Sequence, residues 1–181
     1  MNLLEVIKII YVMMVFLAFS PLTTHSNPFP ENIAVGETYL MGHRSNNVIG
    51  TSTNAGTVIF DHDIVIEAPG LLVNTGLITG DTVSHFEGDV INNGHVYNEG
   101  QILKTIYVQN LGQFTNSAVG EIYTRYLSSN AGGMLNHGVI DVVGQAGIND
   151  STLINYGSFN TERIEVNDSI LENHGSFLTD K

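Results

Sequence analysis

An asparagine standing two positions before a glycine recurs along most of this 181-residue chain, and no other feature limits its fold so sharply. Nine of the 19 glycines carry it. Aligned on Gly56, Gly76, Gly94, Gly112, Gly138, Gly157 and Gly175, the units are spaced 20, 18, 18, 26, 19 and 18 residues apart. Their asparagines are Asn54, Asn74, Asn92, Asn110, Asn136, Asn155 and Asn173. Two positions after each glycine stands an apolar residue: Val58, Ile78, Val96, Phe114, Ile140, Phe159 and Phe177. Four positions before it stand Leu72, Val90, Val108, Met134, Leu153 and Leu171, with Ser52 as the exception in the first unit.

These offsets share one parity, and a period of two is the mark of strands with alternating faces. The apolar members of that face belong to a core. An asparagine among them is tolerated only if its amide finds partners. Stacked coils supply them, because the same side chain returns one rung away, at about 4.8 Å, and the amides bond in a ladder. Glycine then permits a tight corner, where a positive φ would penalise a side chain. A repeat of this length predicts a β-solenoid.

Helices are excluded by dense glycine and β-branched residues and by the lack of a sustained three-four apolar spacing. An antiparallel sandwich also uses short strands and turns, but gives no reason for asparagine to keep one phase. A left-handed hexapeptide solenoid needs an apolar column eight positions after each glycine. Ile64, Ser84, Ile102, Gly120, Ala146 and Glu165 do not make one. The expected architecture is a single-stranded right-handed parallel β-helix with about 18–20 residues per coil.

Residues 1–26 read as an export signal. Ile9 to Phe19 is an apolar run of 11 residues, too short to span a bilayer and stopped by Ser20-Pro21, with Thr24 and Ser26 before a cleavage point. Residues 27–52, with Pro28 and Pro30, are expected to cap the first rung, and 53–181 to form the coils. Because the chain stops six residues beyond Gly175, inside a repeat, truncation of a longer protein is expected. With no cysteine, neither disulfides nor thiolate metal sites hold the domain. The formal charge of −12 repels phosphate backbones, so nucleic acid is not an expected partner. No stable membrane insertion is expected once the signal is removed. End-to-end self-association of coils remains open.

The 26-residue spacing between Gly112 and Gly138 implies about eight extra residues, expected as a loop at Tyr123–Asn130. Its Tyr123, Arg125 and Tyr126 could stack on a sugar or anchor a protein, which makes a host-cell glycan or protein receptor the expected partner class. His137, Tyr156 and His174, one before their glycines, should form an outward stripe. Asp61-His62-Asp63 lacks a third ligand on one face, so no metal site is expected, and no residue pattern calls for a cofactor. The outward column Ile59, Thr79, Tyr97, Thr115, Asp141, Asn160 and Leu178 offers no carboxylate pair of the kind glycosidic cleavage uses. No nucleophile elbow occurs.

Units such as Val73-Asn74-Thr75-Gly76-Leu77-Ile78 and Ile154-Asn155-Tyr156-Gly157-Ser158-Phe159 resemble those of bacterial filamentous-haemagglutinin-like and autotransporter passenger β-helices, over roughly residues 53–178. The resemblance implies export by a Gram-negative bacterium, a secreted or cell-surface location, and a structural or adhesive role without catalysis. The alternatives are a β-helix polysaccharide-acting enzyme and an incomplete piece of a longer passenger.

Overall fold

A computed structural model describes residues 27–41, 44–81 and 88–180. The expected signal lies outside them. The chain is all β, and it winds as a right-handed parallel solenoid of about 7 turns. Every strand pair is parallel, which removes the sandwich.

Each coil has three faces. The first is an eight-stranded sheet made of Asn32–Ile33, Thr51–Asn54, Leu71–Asn74, His95–Asn98, Gln113–Asn116, Gly133–Asn136, Thr152–Asn155 and Ile170–Asn173. The second and third belong to one 12-stranded sheet. In early coils they are separate strands, such as Thr57–Phe60 and Ile64–Ile66. Later they fuse into Gln101–Asn110, Glu121–Asn130, Val139–Asn149 and Ser158–Asn167, which bend round the corner at a bulge.

Period-two burial runs along nearly every strand, and register turns it into columns. Leu72, Val96, Phe114, Met134 and Leu153 stack on the first face. Val58, Ile78, Ile102, Ile122, Ile140 and Phe159 stack on the second. Ile64, Val90, Val108, Leu127 and Ala146 stack on the third. All are buried. Stacking like on like makes one continuous core cluster along the solenoid.

Four expectations need correction. The seven asparagines are not one ladder, because two corners of each coil use the same motif. The corner between the first and second faces carries Asn54, Asn74, Asn98, Asn116, Asn136, Asn155 and Asn173. Asn92 and Asn110 belong to the corner between the third and first. The 26-residue spacing is therefore a change of corner and not an insertion, and Tyr123–Asn130 is strand. Residues 27–52 are also no separate cap: Asn27↔Asn46, Asn32↔Thr53 and Thr38↔Thr57 pair as ordinary rungs.

The fourth concerns glycine, whose role at these corners is proximity. None of the seven aligned glycines has a positive φ. Instead the corners stack so closely that a Cβ on Gly76, Gly157 or Gly175 would overlap the carbonyl oxygen of Gly56, Gly138 or Gly157 in the rung beneath. Glycine is needed because backbone meets backbone.

Candidate binding surfaces

The buried asparagines of the ladders are tied up in hydrogen bonds to one another and to the backbone. In the main ladder each amide donates to the next, at 2.8, 2.7, 2.7, 2.8, 2.7 and 2.7 Å from Asn54 to Asn173. Second donors go to backbone carbonyls, as from Asn74 to Gln101 and from Asn136 to Ser158. The second ladder runs from Asn92 to Asn110 at 2.8 Å, on to Ser129 Oγ at 3.3 Å, then to Ser151 at 2.7 Å. The asparagines of both ladders before Asn173 are fully buried, so paired amides meet the demand that burial makes of polar groups.

What faces outward is different. At the main corner the middle residue of the motif becomes His137, Tyr156 and His174 in the last three rungs. Their rings stack with centroids 5.0 and 4.8 Å apart and planes within 7° and 13°. Rung spacing sets that distance. Tyr156 is 50% exposed. Below this row, Tyr97 donates its hydroxyl to Glu99 at 3.0 Å, and that bond lifts the phenol above its usual pKa.

A second aromatic pair lies at the start of the third face. Tyr107 and Tyr126 stack at 4.9 Å and 27°, and the Arg125 guanidinium sits 5.6 Å from the Tyr126 ring centre. Tyr126 and Arg125 thus stay together, but on a strand bulge and not in a loop. Tyr123 is separated from them. It points outward from the second face, in register with Asp141 and Asn160, beside a different depression. The pairing with Tyr107 escaped the sequence reading, although its 19-residue separation from Tyr126 is a coil length.

Next to Tyr107, Asp89 accepts from the Tyr107 N–H at 3.2 Å and from Gln109 Nε2 at 3.0 Å. Partial burial raises its carboxyl above the ordinary 3.8, and repulsion from Asp63 adds to that, while the two hydrogen bonds oppose it. Asp63 is itself occupied, accepting from the Asp89 N–H. His62 bonds to Asp61 at 3.2 Å. Among the described residues no group of three or more His, Cys, Asp or Glu is placed to hold a metal ion. Among them no helix is long and apolar enough to cross a membrane.

A third asparagine ladder lies on the outside of the solenoid. Asn149 Nδ2 donates to Asn130 Oδ1 at 2.9 Å, and Asn167 Nδ2 to Asn149 Oδ1 at 2.8 Å. Comparison with protein families, curated proteins and solved structures found no match.

Proposed function

We propose that this chain is an exported structural or adhesive surface segment that binds and does not catalyse. One observation carries the reading: five aromatic rings stand outside the coil in two axial rows, Tyr107–Tyr126 and His137–Tyr156–His174, held in register by ladders inside it. An exposed ring gains nothing from the core. Held rigidly it presents apolar area at little entropic cost on binding, which is what a contact surface requires. The resemblance of the N-x-G units to passenger β-helices supports the same role, with a secreted or cell-surface location.

The purified chain is expected to coat host-type cells saturably. Changing Tyr126 to alanine in one variant and Tyr156 to alanine in another tests which row makes contact. Loss of a central aromatic anchor costs about 2 kcal/mol or more, so binding should fall ~30-fold while the circular-dichroism spectrum stays the same. Wild-type protein that binds no cell surface tested would overturn the adhesive reading.

A further inference from the structure

We infer that the third face carries a binding groove for a neutral saccharide chain lying along the solenoid axis. The inference rests on the adhesive reading in taking the outward aromatic rows as contact surface, and it names the ligand class for one of them.

The groove follows from register. Outward residues of the third face fall in three columns. The middle one runs Gln109, Ser128, Gly147, Glu165. At Ser128 and Gly147 it shrinks to a hydroxymethyl and a hydrogen, so the sheet has a floor with almost no side chain. A Cβ on Gly147 would meet a single neighbour, Asn149 Nδ2 at 3.6 Å. On one side stand the stacked rings of Tyr107 and Tyr126, followed by Gln145. On the other stands the outer asparagine ladder. The depression between them, open to solvent, has a volume of about 360 Å³.

The walls select the ligand. An aromatic wall suits a flat body with a C–H face. Opposite it, the bonds between rungs take one N–H of Asn149 and one of Asn167 and one lone pair each from Asn130 and Asn149, while Asn130 gives one N–H to Ser128 Oγ at 2.7 Å. A primary amide has two donors and two acceptor sites. Each rung therefore retains polar capacity suited to hydroxyl groups. Rungs repeat every ~4.8 Å, close to the length of one pyranose, so consecutive sugars would meet equivalent groups. A peptide strand is disfavoured because the backbone of Val139–Asn149 is already paired on both sides, leaving no edge to extend. Glu165, at the end of the groove, is paired with Arg163, so it is the net charge of −12 that disfavours anionic glycans.

The test is amide-detected NMR titration of the whole chain with four tetrasaccharides. Three are neutral: β-1,4-linked glucose, β-1,4-linked N-acetylglucosamine and β-1,3-linked galactose. The fourth, tetragalacturonate, is the charged control. At least one neutral sugar should shift Ser128, Gly147 and Asn149 saturably, with tetragalacturonate at least tenfold weaker. Gly147→Ile, whose added atoms enter open space and suit a strand, should weaken binding at least tenfold while leaving the rest of the spectrum in place. Tyr126→Ala should do the same from the other wall. If no neutral sugar moves these amides, if the shifts map elsewhere, or if Gly147→Ile binds as well as wild type, the inference is wrong. A chain that still coats cells in any of those cases retains the adhesive reading without this groove.

Discussion

Asn98 donates its side-chain amide to Asn116 Oδ1 at 2.7 Å, inside a coil where neither side chain touches solvent. Asn116 then donates to Asn136 Oδ1 at 2.8 Å and to the carbonyls of Gly120 and Val139 at 3.2 Å. These two residues join the first rungs of the main ladder to the last. Replacing Asn116 with leucine leaves one Asn98 donor without its buried partner, takes from Asn136 Oδ1 one of its two donors, the Gly138 N–H remaining, and removes the amide that donates to the Gly120 and Val139 carbonyls. Unmet buried groups cost roughly 1–3 kcal/mol each, so Asn116→Leu should lower stability by about 2–4 kcal/mol in urea unfolding. Asn173→Leu, at an exposed rung, should cost less than about 1 kcal/mol.

Gly157 and Gly147 form a matched contrast. A Cβ at Gly157 strikes the Gly138 carbonyl, whereas at Gly147 it meets open space. Gly157→Ala should destabilise by about 1–3 kcal/mol as overpacking does. Gly147→Ala should be neutral or slightly stabilising, since glycine weakens a strand interior. Thermal melts of the two variants check this.

Asn46 is fully buried, and neither of its amide atoms has a hydrogen-bond partner. In register with Ile64, it occupies an inward position that aliphatic residues fill in the next coils. Asn46→Leu should raise stability by about 1–2 kcal/mol, because an apolar side chain of similar size removes an unmet desolvation cost. A lowered urea midpoint would count against this account.

Asp89 sets a pH dependence. Its folded-state carboxyl titrates above its ordinary value of 3.8, first through burial and then through Asp63. Between the unfolded and folded values the native state binds more protons than the unfolded state. Stability contributed here is present at lower pH and lost as pH rises through that window. Relative to wild type, Asp89→Asn should therefore gain stability as pH rises from about 4 towards neutrality. Melting temperatures of both proteins across that range test the sign. A constant difference would show that Asp89 does not titrate abnormally.

Alternation of apolar and polar residues is a local property, and it can be read from Leu72, Asn74 and Ile78 without any coordinates. So can the need for a ladder, since a buried amide must be paired wherever the chain takes it. Those two facts lead from residues to stacked parallel coils. Which asparagine pairs with which is not local. Asn92-Asn93-Gly94 and Asn98-Glu99-Gly100 are the same motif six residues apart on successive corners of one coil. Asn116 is masked because two further residues precede its glycine. Only pairing between coils separates the corners, through bonds such as Asn74 to Asn98 and Asn92 to Asn110.

The outer surface depends on the same non-local step. Tyr107 and Tyr126 are distant in the chain and become neighbours only when register places them one rung apart. Gly147 resembles any other glycine until the columns on either side of it are built. Short-range alternation thus dictates the coil, because burial acts on each residue singly. The groove needed the folded stack, because its walls come from different turns and meet only across the sheet.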